Sequence, residues 1–139
     1  MPEATVVAII WQETGHISLP VDILLTKRKY PPFEGFFCLP GGHIDRFESA
    51  DAAVCREVKE ETGLDFKGTF QGKSEEIYPD KNIHNIALVY SGHAQGQLNF
   101  NEEVTEYKWV SFDEAVSMKL AFGHECILAE RISIFGGRK

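Results

Sequence analysis

Gly42 to Leu64, GHIDRFESADAAVCREVKEETGL, sets a glycine, an isolated glutamate, and then an arginine with three further glutamates at fixed intervals. Ser49 suits a helix N-cap, because its hydroxyl can accept from the free N–H groups of a first turn, and Gly63 suits the left-handed position just past a helix end. A loop followed by a helix over 49–63 is therefore predicted. At about 100° per residue, Glu57, Glu60 and Glu61 fall within an arc of roughly 100°, and Val54, Cys55, Val58 and Thr62 occupy a neighbouring arc. One face packs and the other is a wall of carboxylates. The Glu57–Glu60 and Glu57–Glu61 pairs each cost about 0.2–0.5 kcal/mol on an exposed helix, and the macrodipole disfavours negative charge in this C-terminal half. Such a face is either a solvated acidic surface relieved by Arg56 and Lys59, or a set of oxygen ligands for a hard divalent cation. The preceding Pro40-Gly41-Gly42 favours the cation, since backbone without a Cβ can approach a ligand closely. Glu48 adds a carboxylate near the helix start.

Upstream, Thr5–Trp11 (TVVAIIW) is almost continuously apolar, as a strand buried on both faces would be, and Gln12–His16 reads as a turn. Val21–Lys29 reads as a second strand that becomes basic at Lys27, Arg28 and Lys29. Two prolines and a glycine make Tyr30–Gly35 a loop; Phe36–Leu39 is then a short buried strand, which Pro40–Gly42 is expected to stop. Downstream, Thr69–Tyr78 and Ile83–Ser91 are predicted strands around a turn at Pro79–Asn82, and Val104–Val110 is another. Ser111–Glu114 is a capping box opening a short helix to Met118. A final helix is expected from Gly123, with Ile127, Leu128, Ile132 and Phe135 facing inward, before a frayed tail at 136–139. No repeat, low-complexity tract or linker interrupts the chain. The expected fold class is α/β (α+β): one domain over 1–139, with helices packed on a mixed sheet.

With 139 residues, 43% of them apolar, the chain can bury the core of one domain. Fourteen basic residues against twenty-one acidic ones give a net charge of −7, which argues against binding a nucleic-acid backbone. A small phosphorylated substrate stays compatible with this charge if a bound cation supplies the positive counterpart. Cys38, Cys55 and Cys126 lack any C-x-x-C spacing and read as reduced core thiols. The N-terminal apolar run is too short, and too poor in flanking basic residues, for a signal peptide, and no stretch is long enough for a membrane span. A cytoplasmic protein with no membrane partner is the expectation.

Gly42, five residues, Glu48, seven residues, then Arg56-Glu57-Val58-Lys59-Glu60-Glu61-Thr62-Gly63-Leu64 resembles the complete Nudix box, G-x5-E-x7-R-E-U-x-E-E-x-G-U, with U aliphatic. Average residue usage puts a chance match in such a chain below about one in ten million. The resemblance implies the Nudix fold, a mixed β-sheet sandwiched between α-helices. It also implies a Mg²⁺- or Mn²⁺-dependent hydrolase of a nucleoside diphosphate linked to another group. By position, the metal ligands would be Glu57, Glu60 and Glu61 with the backbone carbonyl of Gly41, oriented by Arg56 and Glu48. Phe47 departs from the glycine that many members carry there, which puts the path of the loop in question.

Lys27–Gly42, KRKYPPFEGFFCLPGG, resembles the lead-in of the ADP-ribose pyrophosphatase-like branch. EEVTEYKWVSFDEA and LAFGHECIL resemble its later segments, and Pro79 stands about where ADP-ribose-cleaving members tend to carry a proline. The activity so implied is hydrolysis of ADP-ribose to AMP and ribose 5-phosphate. One alternative is a hydrolase of oxidised or non-standard nucleoside triphosphates that releases pyrophosphate. Another is a sensor that binds nucleotide without catalysis. Homodimers are common in this branch, although the sequence shows no interface.

Outside the box, Glu125 sits where some members carry a further metal-binding or base-like glutamate, but a first-turn glutamate also simply suits a helix N-terminus. Glu60, Glu61 and Glu125 all remain candidates to take the proton of the attacking water. His124 could contact substrate or be structural. Arg28 could hold a phosphate bidentately, Arg46 is a second basic candidate, and Glu103 is the member of Glu102, Glu103 and Glu106 expected nearest the site. Phe37 or Tyr78 could stack on a base or belong to the core.

Overall fold

The computed structural model describes residues 1–14, 21–99 and 101–135. The expected turn residues Gly15 and His16 and the tail at 136–139 lie outside the described residues. Strand β1 (Glu3–Glu13) is the spine of the sheet. Its side chains alternate: Val6, Ala8 and Ile10 enter one apolar cluster, and Val7 and Ile9 enter another on the opposite face. Burial on both faces explains why the sequence there carries no polar alternation.

The N-terminal part of β1 pairs in parallel with β6 (Ile83–Gln95) and antiparallel with β4 (Gly41–His43), which sets Thr5 opposite His43 and Val7 opposite Gly41. Its C-terminal end pairs with β2 (Val21–Arg28), Trp11 opposite Ile23 and Glu13 opposite Val21. That pairing carries the strand through Gln12, where a turn is predicted. β2 also pairs with β3 (Phe37–Cys38) and β7 (Val104–Ser111). The glycines after Pro40 do not stop the sheet as expected; they resume it as β4, because the backbone of β1 offers a partner. β5 (Asp65–Tyr78) lies antiparallel to β6, with an irregularity between Phe70 and Lys73. Both strands outrun their predicted ends: Asp65–Gly68 pairs with Gly92–Gln95, and Phe66 and Ala94 are the only apolar residues there that join the core, too few to show an apolar period.

Helix α1 (Ala50–Thr62) packs Ala53, Val54 and Val58 on the Val6–Ala8–Ile10 face. Ser49 Oγ accepts from Ala52 N–H at 3.0 Å, and Gly63, at φ 80°, ends the helix with its N–H on Lys59 O at 2.9 Å. The opposite face is covered by α2 (Phe112–Ser117) and α3 (His124–Ala129) through Phe112, Ala115, Ile127 and Leu128. The mixed sheet is thus sandwiched between helices. The last segment is not one helix: a 3₁₀ turn at Ile132–Phe135 follows α3, with Arg131 tied by Nε to Gln71 O and by Nη2 to Lys73 O. This break changes the phase of the chain, so Phe135 is buried while Ile132 is 47% exposed, contrary to expectation. Cys55 and Cys126 are likewise exposed, and among the three cysteines only Cys38 is a core thiol. Among the described residues no helix is long and apolar enough to cross a membrane.

Candidate active site

Arg56 organises the start of the site. Its Nε donates to Glu48 Oε2 at 2.7 Å and its Nη2 to Glu48 Oε1 at 3.0 Å, a bidentate pair. Nη2 also donates to His43 O at 3.0 Å, while Nη1 reaches Glu57 Oε2 and Glu60 Oε1, both at 3.2 Å. The Arg56 hydrogen bond, aided by Asp45 N–H, holds the Glu48 carboxyl down at about 2. Glu48 in return raises the proton affinity of the guanidinium. One cation, clamped by one carboxylate, thereby orients two others.

Glu61 is held from the opposite side, its Oε1 accepting from Gly41 N–H at 3.2 Å. Desolvation pushes its proton affinity well above the ordinary carboxylate range, and the nearby Glu57 charge pushes it further. Glu57 shifts upward for the same first reason, which outweighs the opposing pull of Arg56. Glu103 raises both. Gly42 makes room for this arrangement, since a Cβ there would lie 2.4 Å from the Glu57 carboxyl carbon.

Glu57, Glu61, Glu103, Gly41, Arg28 and His124 all line one cleft of about 1080 Å³, so the fold brings these predicted residues together. Glu60 is not in that wall: it pairs with Arg56 at i,i+4 and its side chain is 55% exposed. Glu125 is also outside it, its Oε1 accepting from Leu120 N–H at 3.0 Å. Arg46 stacks 4.8 Å over the Phe47 ring, away from the lining. Phe37 lies beneath Lys27 and Lys108, and Tyr78 meets the Phe33 ring, so neither aromatic lines the cleft. Arg28 donates from Nε to Pro32 O at 2.7 Å and lies 5.1 Å over the Phe122 ring. Phe47 itself, 94% exposed, has φ 66°, a conformation glycine adopts without strain.

Among the described residues no three His, Cys, Asp or Glu side chains are gathered into a ready-made metal cage. Of the expected trio Glu60 is the exposed member, although it shares Arg56 Nη1 with Glu57 at 3.2 Å each. The remaining donors nonetheless fit a hard cation. Glu57 and Glu61 offer desolvated carboxylate oxygens beside a glycine backbone, and their mutual repulsion is of the kind a divalent charge relieves.

The family model for the NUDIX domain matches residues 1–130. The chain belongs to the Nudix family. It is 39% identical over 118 residues to an ADP-ribose pyrophosphatase of Methanocaldococcus jannaschii, covering 84% of this chain and 69% of that protein. It is 41% identical over 104 residues to an ADP-ribose pyrophosphatase of Saccharomyces cerevisiae, covering 73% of this chain and 44% of the yeast protein. Among solved structures, a MutT NUDIX hydrolase from Burkholderia pseudomallei matches with a TM-score of 0.82 at 28% identity, over 94% of this chain and 98% of that one.

The Nudix cleft also contains residues that sequence reading passes over as ordinary strand positions: Thr5, Glu76 and Asn85. His124 Nδ1 accepts from Leu39 N–H at 3.0 Å, so the ring proton belongs on Nε2, which lies 3.3 Å from Glu76 Oε2. Glu76 Oε1 accepts in turn from Asn85 Nδ2 at 3.1 Å. A signal was present in the parity of the strands. Thr5 is in phase with Val7 and Ile9, and Asn85 with Ala87 and Val89, so polar residues occupy inward positions.

Proposed function

We propose that this protein hydrolyses the pyrophosphate bond of a nucleoside diphosphate joined to another group. ADP-ribose is the first candidate, giving AMP and ribose 5-phosphate with Mg²⁺ or Mn²⁺ as cofactor. The observation that carries this reading is the pair of desolvated carboxylates, Glu57 and Glu61, in the wall of a cleft roomy enough for a dinucleotide, with Glu57 tied through Arg56 to Glu48. The two relatives that are ADP-ribose pyrophosphatases support the choice of substrate.

When bound, a divalent cation supplies charge neutralisation for the pyrophosphate oxygens and lowers the pKa of a bound water. Glu57 and Glu61 are the side chains that would hold it, with Glu60 available from the neighbouring turn. Arg56 keeps Glu57 from swinging out, and Glu48 keeps Arg56 in register. Gly41 and Gly42 leave the backbone open to close approach by the phosphates. Arg28, in the same cleft, offers a guanidinium to a phosphate oxygen. Water attacks one phosphorus, the bridging P–O bond breaks, and the second phosphate leaves. Of the candidates for the water's proton, Glu61 is favoured over Glu60 and Glu125 because it alone of the three lines the cleft, with Oε2 clear of the Gly41 N–H bond.

The test is product analysis with purified protein, a divalent cation, and a panel of nucleoside diphosphate derivatives and triphosphates. AMP with ribose 5-phosphate from ADP-ribose is expected. Pyrophosphate released from triphosphates, with ADP-ribose untouched, would replace the substrate. If nothing is cleaved while ADP-ribose still raises Tm, the protein is a sensor.

A further inference from the structure

Thr5, Glu76, Asn85 and His124 are 6, 5, 8 and 4% exposed, yet all four line the cleft. Glu3 stands opposite Asn85 and Thr5 opposite Ala87 across β1 and β6, while Glu76 stands opposite Asn85 across β5 and β6. The two-residue period of a strand therefore puts Thr5, Asn85 and Glu76 on one face of the sheet. It is the face on which Val7, Ile9, Ala87 and Val89 meet Ile127 and Leu128 of α3, the helix that begins with His124. The apolar core on this side gives way to a polar patch where it meets the cleft.

The patch is not fully satisfied from within. His124 uses both ring nitrogens, one on Leu39 N–H and one on Glu76, and so positions both. Glu76 receives one bond on each oxygen, from Asn85 and His124, leaving each with a lone pair to offer. Asn85 Oδ1 can accept as well. Thr5 Oγ1 finds no hydrogen-bond partner among the described residues. A buried hydroxyl without a partner is destabilising, and valine, which fills the next two positions of the strand, would have the same shape. Packing alone gives no reason for the hydroxyl.

We propose that Thr5, Glu76 and Asn85 form a subsite that reads an uncharged, hydrogen-bond-donating group of the substrate, an exocyclic amine or a sugar hydroxyl. The proposal rests on the nucleotide reading of the cleft. The patch is rich in acceptors, and the Glu76 carboxylate repels a phosphate, so it selects the neutral end of the molecule while the box carboxylates take the pyrophosphate. Thr5 contributes an acceptor, and also a donor for a ring nitrogen or ether oxygen beside the group being read. His124 is a positioning residue: it fixes Glu76 and, through Leu39, the approach to Gly41 and Gly42.

The experiment compares wild type, Thr5→Val and Glu76→Gln on three compounds with Mg²⁺: ADP-ribose, its hypoxanthine counterpart, and the analogue whose terminal sugar lacks the 2-hydroxyl. Thr5→Val breaks no bond within the protein, so its fold is retained even if Glu76→Gln disturbs His124. Each variant is expected to raise KM for ADP-ribose about three- to tenfold, the loss of one hydrogen bond, with little change in kcat. The analogue lacking the group that is read starts with the higher KM and loses this handicap in the variants. That analogue is the hypoxanthine compound if the amine is read and the deoxy compound if the hydroxyl is. An unchanged KM for ADP-ribose in Thr5→Val overturns the subsite. Should wild type cleave none of the three, the functional reading fails separately. The subsite is then judged by the calorimetric Kd for ADP-ribose, expected to weaken by the same factor in Thr5→Val. Equal or undetectable binding in both proteins overturns it.

Discussion

A methyl group on Gly42 would sit 2.4 Å from the carboxyl carbon of Glu57. The colliding atoms are the end of a side chain that can rotate away, so Gly42→Ala is expected to fold normally and displace Glu57. Metal-dependent activity should fall by about ten- to a hundredfold, the loss usual when a supporting contact of a metal ligand is removed, with Tm changed by only a few degrees. Activity and melting curves measured together check this; wild-type turnover would mean that Glu57 need not stand where it does.

Arg56→Lys keeps the charge but cannot reproduce the forked bonds to Glu48, Glu57 and His43 O. Turnover is expected to drop by about ten- to a hundredfold. The Glu48 carboxyl, held at about 2 chiefly by Arg56, should titrate higher in the variant. Carbon-detected NMR titration of the glutamate side chains reads the second effect. If Glu48 still titrates near 2, the clamp is not what holds it.

Glu61 and Glu48 impose opposite pH dependences on stability. Glu61 lies well above the ordinary value of 4.5, so its contribution is fully present below about that pH and is lost as pH rises through the raised value. Glu48 contributes stability above 4.5 that is lost as pH falls toward about 2. In metal-free buffer, wild type should melt highest on the acid side of neutrality. Glu61→Gln should flatten the decline toward neutral pH while leaving the acid limb. The same variant should lose most activity and most of the stabilisation that Mg²⁺ gives wild type near pH 7. Identical metal-free melting profiles for the two proteins from about pH 5 to 8 would remove the desolvation argument.

Cys38 is buried, and desolvation, with the Glu61 charge second, pushes its thiol up to about 12. Cys55 and Cys126 are exposed. Native protein treated with excess iodoacetamide at neutral pH should therefore take up two labels quickly and the third only on unfolding, as counted by intact mass. Rapid triple labelling would place Cys38 at the surface.

The central helix was legible because everything that defines it is local. Ser49 and Gly63 cap it, and three glutamates share a face by the 3.6-residue period. The two-sided burial of β1 was legible for a similar reason, through the unbroken run of Val6 to Ile10. Strand ends at Asp65 and Gln95 were not, since exposed polar residues such as Lys67 and His93 stand opposite each other there and leave little trace in apolar periodicity. Nor was the break after α3, where Arg131 bonds to carbonyls some sixty positions earlier in the chain.

By itself the sequence determined the helix and its carboxylate face, because those follow from spacing along one element, and its resemblance to the Nudix box is what pointed to a divalent ion and a pyrophosphate bond. The tertiary structure decided which carboxylates face the cleft. Glu60 stays out of its wall although it shares Arg56 Nη1 with Glu57, Leu120 N–H holds Glu125 away, and Gly41 N–H holds Glu61 in place. It also brought Thr5, Glu76, Asn85 and His124 together from four separate stretches of chain. Convergence of that kind depends on strand register and helix docking, which are set by contacts between distant residues and leave no motif to read.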